Sequence, residues 1–222
     1  VEEVEQVRVA LGLDRDDCFL LGHSWGGILA IEYALKYQQH LKGMVVSNMV
    51  SSIPAYNKYA HEVLMPQMDP ATLKEILALE AAKKYDDPRY EELLVPFYEA
   101  HILRRPIMEW PEPVLRAFVR HINKKVYIPM QGPSEMGASG ILVDWDRSAD
   151  LKKITVPTLV IGARHDTMDP TFMETMSRSF PRGDYLYLAN GSHMAMYDDQ
   201  AAYFAGLLAW LHKVDTAPAA KP

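Results

Sequence analysis

The chain has a single cysteine, Cys18, among its 222 residues, so no disulfide can close within it. That usage fits a reducing compartment, and a cytoplasmic location is expected. Cys18 stands in an apolar stretch, which predicts a buried, inert thiol rather than a reactive one. No apolar run approaches the roughly 18 residues needed to span a bilayer, and no signal peptide is read ahead of the first helix. Nor is there a basic tract or a basic helix face. With a formal net charge of -6, nucleic acid and anionic membrane are not expected as partners, and a small, neutral or cationic substrate fits better. The chain also lacks an HExxH motif, clustered His/Cys spacing, a GxGxxG and a P-loop, so neither a metal nor another cofactor is expected. There is no internal repeat. The one biased segment, 216–222, is rich in Ala and Pro and is expected to be disordered.

What is present is enough apolar sequence, 49% of residues, for one domain with room for an inserted subdomain. Its most informative stretch is Cys18-Phe19-Leu20-Leu21-Gly22-His23-Ser24-Trp25-Gly26-Gly27. An apolar run bounded by Asp16-Asp17 reads as a buried parallel strand, and residues 27–37 read as a mostly apolar helix. Between them lies a GxSxG turn, with glycines on both flanks to let the backbone turn sharply and keep the serine Oγ clear of side chains. The pentapeptide is weak alone, but its strand–turn–helix setting points to Ser24 as a nucleophile. An aspartate there would have pointed to a dehalogenase or an epoxide hydrolase; serine points to acyl transfer.

Ahead of this elbow, Val1, Val4, Val7 and Leu11 recur at helical spacing, with Gly12 as a stop. After it, residues 43–47 read as the next strand, completing a βαβ unit that implies parallel strands. Residues 51–150 then change character to charged, amphipathic helix candidates at 71–85, 88–104 and 112–123, with Asp69-Pro70 as a cap and first-turn pair. No strand alternates with them, so they predict a helical lid inserted over the sheet's edge. The sheet pattern resumes at 155–162, followed by a helix over 170–180, a strand over 185–188 and a last helix over 198–214. The expected organisation is a hydrolase core with the elbow in 1–50, a lid in 51–150, a core segment with the remaining catalytic residues in 151–215, and the tail.

A serine hydroxyl needs a histidine to accept its proton, and that imidazole needs a carboxylate to fix its tautomer. On an elbow of this kind the chain order is Ser, then Asp or Glu, then His, each on a loop after a strand. Asp166 follows the strand ending at Gly162; Asp169 competes, but Asp169-Pro170 reads as a helix cap. His193, in Asn190-Gly191-Ser192-His193-Met194, follows the next strand. His23 within the elbow, His165 beside the acid, and His40, His61, His101, His121 and His212 have blander settings. The amide of Trp25, directly after the nucleophile, is the expected oxyanion donor.

Taken together, Gly22-His23-Ser24-Trp25-Gly26-Gly27, Gln131-Gly132-Pro133-Ser134-Glu135, Asp144-Trp145-Asp146, Asp166 and Gly191-Ser192-His193-Met194 closely resemble the proline iminopeptidase family of α/β-hydrolases. The resemblance runs from the first helix to Val214. It implies an α/β fold, the C-terminal portion of a mostly parallel α/β-hydrolase sheet with an inserted helical lid. It also implies a metal-independent serine aminopeptidase that removes an N-terminal residue, preferably proline, from small peptides or amino-acid amides. Members hold the substrate's free amine with carboxylates from the lid and near the catalytic acid, and Glu135 matches the lid glutamate. A desolvated carboxylate makes a charge-assisted hydrogen bond to an ammonium that an internal peptide position cannot use. The plainer alternative is that Glu135 braces the lid, through an arginine for example.

Two departures stand out. In the best-known members an acidic residue that also contacts the amine follows the catalytic aspartate, whereas here it is Thr167; Glu109 and Glu112 are candidates to compensate. Members also carry a segment before the elbow with a His-Gly-Gly-Pro-Gly loop that supplies the second oxyanion donor, so the chain reads as a C-terminal portion. Loss of one such donor lowers turnover by about a hundred- to a thousandfold, and an uncovered elbow strand exposes backbone and apolar surface. Poor activity or stability of this segment alone is therefore expected. Alternatives within hydrolases are an amino-acid amidase and a general carboxylesterase or lactonase; from another class, a non-catalytic binding module.

Overall fold

The computed structural model describes residues 1–216. Four parallel strands, β1 (Phe19–His23), β2 (Gly43–Ser47), β3 (Thr158–Ala163) and β4 (Gly183–Leu188), lie side by side in chain order. Leu21 pairs with Val45 across β1 and β2, Ser47 with Ile161 across β2 and β3, and Gly162 with Tyr187 across β3 and β4. The connections are helices: α1 (Glu2–Ala10) leads in and α2 (Trp25–Tyr37) follows β1. Helix α3 (Ile53–Tyr59) opens the long excursion after β2. It continues through α4 (Pro70–Ala81), α5 (Pro88–His101), α6 (Glu112–Val114) and α7 (Lys124–Met130). Helix α8 (Pro170–Ser179) joins β3 to β4, and α9 (Ala195–Asp198) and α10 (Gln200–Asp215) close the described chain. The expected α/β class and parallel sheet are found. The disordered tail expected over 216–222 lies, beyond Thr216, outside the described residues.

Because successive strand residues face opposite sides, a strand buried on both faces must be apolar throughout, as β2 and β3 are. Met44, Val46 and Val160 pack towards α2 and α8, against Ile28, Ile31, Met173 and Met176. Val45, Leu159 and Ile161 pack the other way, against Tyr203, Leu207 and Trp210 of α10. The edge strand β1 differs from its expected burial: it is only half-buried, with Leu21 exposed, because it is first in the sheet order and has a strand neighbour, β2, along one edge only. Cys18 is buried beside it, and burial pushes its thiol up.

Helix α1 also differs from the expected apolar stripe. Val1 and Val4 pack on the core, but Val7 and Leu11 are exposed. The helix docks instead through its acids: Tyr33 Oη donates to Glu5 (2.6 Å) and Tyr37 Oη to Glu2 (2.8 Å), both from α2.

Between β2 and β3, residues 53–130 are mostly helical while 131–150 are turns, and together they carry a core of Leu64, Ile76, Tyr90, Leu94, Phe97 and Met136. Asp69 caps α4 by accepting from Thr72 N (2.8 Å). Helix α4 ends at Ala81 and α5 at His101, each short of its expected end, and the expected 112–123 helix is three residues of α6 followed by wider helical turns. Helices α3 and α7 have no counterpart in the sequence reading.

Candidate active site

Loops leaving the C-terminal ends of parallel strands converge on one edge of the sheet, where ligands of open α/β sheets bind. Ser24 stands there between β1 and α2, with φ 54° and ψ −129°, a sparsely populated conformation for a non-glycine residue. Hydrogen bonds from Ser24 N to Ser47 O (3.0 Å) and from Gly27 N to Ser24 O (2.7 Å) hold it. The glycines around it are not equivalent. A Cβ at Gly22 would sit 2.0 Å from the Gly26 carbonyl oxygen and one at Gly27 would sit 2.7 Å from Met49 Cβ, whereas Gly26 faces open space. The sharp turn therefore rests on Gly22 and Gly27. Trp25 N is at the first turn of α2, where amides have no intrahelical acceptor and the helix dipole is positive.

Asp166 follows β3 and is fully buried. Its Oδ1 accepts from His193 Nδ1 (2.8 Å), Met168 N (3.1 Å) and Thr167 Oγ1 (3.3 Å), and its Oδ2 from Asn48 Nδ2 (2.7 Å). Burial alone would raise its pKa; the adjacent His193 and these donors outweigh it and hold the carboxyl below its usual range. Asp169 is turned away, capping α8 through Thr171 N (2.8 Å).

His193 follows β4 and is 2% exposed. With Nδ1 donating to Asp166, its Nε2 accepts from the Ser24 hydroxyl at 2.8 Å. Burial pulls the imidazole down, but Asp166, Glu135 and Asp198 outweigh it and the pKa is raised. The loop is clamped by the end of α5: His193 N donates to His101 O (2.9 Å), and Met194 N (2.8 Å) and Ser192 Oγ (2.9 Å) donate to Ile102 O. His23, within the elbow, donates Nε2–H to His193 O (2.8 Å), and burial followed by the nearby His193 charge lowers it to about 4. It is thus a neutral brace. His101 donates Nδ1–H to His165 O (3.0 Å), tying α5 to the acid loop as well. The sequence reading singled out none of these braces.

Ser24 opens into a cavity of about 340 Å³. Its walls include Trp25, Ile28, Met49, Met130 and Met168, and its one carboxylate is Glu135. Glu135 is 7% exposed; its carboxylate accepts from Tyr127 Oη, and its carbonyl from Tyr56 Oη (2.7 Å). No arginine or lysine forms an ion pair with it among the described residues, so the bracing partner is a tyrosine rather than an arginine. Thr167 is fully buried and faces Asp166, while Glu109 and Glu112 are exposed and do not line the cavity. Asp144-Trp145-Asp146 lies elsewhere: Trp145 Nε1 (2.8 Å) and Arg147 Nε (2.6 Å) both donate to Glu32 on α2.

A family model described as the alpha/beta hydrolase family matches residues 1–207. The proline iminopeptidase of Flavobacterium johnsoniae is 54% identical over 216 residues, covering 97% of this chain and 72% of that protein. The chain is an α/β-hydrolase of the proline iminopeptidase family. Among solved structures, VinJ superposes with a TM-score of 0.88 at 29% identity, covering 96% of this chain and 71% of VinJ. The proline iminopeptidase of Mycobacterium smegmatis follows with a TM-score of 0.82 at 27% identity, covering 96% of this chain and 70% of that one. The family and fold expected from the elbow and its companion motifs are those found. Among the described residues no helix is long and apolar enough to cross a membrane.

Proposed function

We propose that this hydrolase is a prolyl aminopeptidase, releasing an N-terminal residue, preferably proline, from small peptides or amino-acid amides. One observation carries the reading: the Ser24–His193–Asp166 relay, with 2.8 Å at both links, opens into the same cavity as a buried carboxylate, Glu135, that has no cationic partner among the described residues. Its relatives bear the corresponding name.

In this reading Ser24 Oγ attacks the carbonyl carbon of the N-terminal residue while its proton passes to His193 Nε2. Asp166 stabilises the imidazolium that forms, and the Trp25 amide donates to the oxyanion. Collapse of the tetrahedral intermediate breaks the amide bond, and His193 returns the proton to the departing amine. Water, deprotonated by the same imidazole, then cleaves the ester to Ser24. Glu135 receives the substrate's ammonium, and the methionine-rich wall takes the pyrrolidine ring, the thioethers adapting to its shape. Residues 51–150 serve as the lid that brings Glu135 over the nucleophile. A single, buried cysteine suits a cytoplasmic setting.

The test is turnover of proline anilide, its N-acetyl analogue and a simple ester. A strong preference for the free amine supports the proposal; indifference to the amine turns the reading to a carboxylesterase or lactonase. Absence of Ser24 labelling by a serine-directed phosphonate would turn it to a binding module. A second reading within the scheme is an amino-acid amidase, because position 167, an acid in the best-known members, is a threonine turned to Asp166, so Glu135 is the one carboxylate lining the cavity.

A further inference from the structure

Beyond nucleophile, base and acid, one more polar side chain is locked into the relay. Asn48, directly after β2, is fully buried and has φ 54°, a left-handed conformation that asparagine adopts more readily than most residues. Its Nδ2 donates to Asp166 Oδ2 (2.7 Å) and to the carbonyl of Ser192 (3.2 Å), the residue before the base. Its Oδ1 accepts from Ser47 Oγ (2.8 Å), and Ser47 Oγ in turn lies 3.1 Å from Tyr203 Oη. The backbone amide donates to Ile161 O (2.8 Å), so the residue is pinned to β3, the strand that carries the acid. A plain loop asparagine has no need of such a geometry: one carboxamide spans the acid and the base loop, and its orientation is fixed by a hydroxyl on its far side.

We propose that Asn48 is a positioning residue that holds Asp166 and the His193 loop in register, turning the carboxylate so that Oδ1 alone faces the imidazole. Oδ1 takes the His193 proton donor, while Oδ2, which would otherwise compete for it, is occupied by the Asn48 amide. The donor also favours the charged form of Asp166 and tempers its basicity toward the imidazolium.

The test uses the full chain and the pH dependence of two rates: turnover of proline anilide, and labelling of Ser24 by a serine-directed phosphonate, which depends on His193 but not on substrate recognition. Asn48→Gly keeps the left-handed backbone at no steric cost while deleting the carboxamide. Expected are a fall in both rates of about ten- to a hundredfold and an upward move of their acid limb by about half a pH unit, because Asp166 with its Oδ2 left without a donor holds the imidazolium harder. The other titratable groups facing the pair, His23, Glu135, Asp198, His101, Tyr56, Tyr59 and Tyr185, are retained in the variant. Asn48→Asp, nearly isosteric, places a second carboxylate against Oδ2 and moves the limb further in the same direction; it keeps the idea testable should the glycine variant not fold. Unchanged rates, or slower rates with an unmoved acid limb in either folded variant, would overturn the role. The inference rests on Ser24, His193 and Asp166 acting as proposed, so a wild-type chain without Ser24-dependent labelling overturns both, whereas labelling with unshifted variants overturns only this one.

Discussion

Replacing Glu135 with glutamine changes one charge and almost no volume, and it separates recognition of the amine from the chemistry at Ser24. Glutamine retains a carbonyl oxygen for the Tyr127 hydroxyl and leaves the Tyr56 bond to the main-chain carbonyl untouched, so the local scaffold survives. What is lost is the attraction between a buried carboxylate and the substrate's ammonium. At about 4 Å and an effective dielectric near 20, that attraction is about 4 kcal/mol. Desolvation of the ammonium consumes part of it, leaving about 2–3 kcal/mol, in the upper part of the range for hydrogen bonds to charged groups. In rate terms this is roughly a 30- to 150-fold fall in kcat/KM for proline anilide. An uncharged aryl ester, which uses the same nucleophile without an ammonium, should lose less than about threefold, well under 1 kcal/mol. The assay is the ratio of the two kcat/KM values in wild type and Glu135→Gln. An unchanged ratio refutes the reasoning: if both activities fall together Glu135 acts on the fold, and if neither falls it does not hold the amine.

Two further substitutions probe the scaffold. Gly22→Ala forces a Cβ to within 2.0 Å of the Gly26 carbonyl, and, since neither backbone can yield, thermal melts should show a loss of about 3 kcal/mol, the upper end for overpacking; Gly26→Ala, facing open space at the start of α2, should be neutral or slightly stabilising. Glu32→Ala removes the acceptor shared by Trp145 Nε1 and Arg147, and denaturant titration should record a loss of about 1–2 kcal/mol, moderated because Arg147 is partly in solvent.

The residues of the proposed relay are legible where local sequence and chain order constrain each other. Ser24 has a motif, and Asp166 and His193 are found by their rank after successive strands, because parallel strands deliver their following loops to one edge. Asn48 has no motif. It is an ordinary residue after β2 until the register places Ser47 beside Ile161, which brings the next residue alongside the acid loop. A rule could have found it: inspect the first polar residue after any strand lying between the nucleophile strand and the acid strand. His23 reads as a bland residue of the elbow, and its partner, the carbonyl of His193, lies far along the chain where no local pattern points to it. The helical segment was read in outline only. Its wide turns over 60–64 and 115–120 share the apolar spacing of ordinary helix, so periodicity does not mark where one gives way to the other.

The coupling between Asp166 and His193 sets stability and catalysis against each other along the pH axis. The imidazole's pKa is raised above its ordinary 6.5 in the folded chain and the Asp166 carboxyl is lowered below its ordinary 3.8. A raised histidine contributes stability that is full below its unfolded value and is lost as pH climbs through the folded one; a lowered carboxyl contributes stability present above its unfolded value and lost as pH falls through the folded one. The pair therefore stabilises the fold most between 3.8 and 6.5, where both members are charged. The proposed mechanism needs the opposite state of His193, since only the neutral imidazole accepts the Ser24 proton. His23, lowered to about 4 by burial, acts with the opposite sign: holding it neutral costs stability below its ordinary 6.5, and that cost fades above it. As pH rises beyond 6.5, kcat/KM should thus increase over the same interval in which the wild-type melting temperature declines relative to Asp166→Asn. A wild-type-minus-variant difference that stays constant from about pH 5.5 to about pH 9 would show that the pair is not coupled in this way. If the two curves cross the pH axis together, one proton on one imidazole accounts for both.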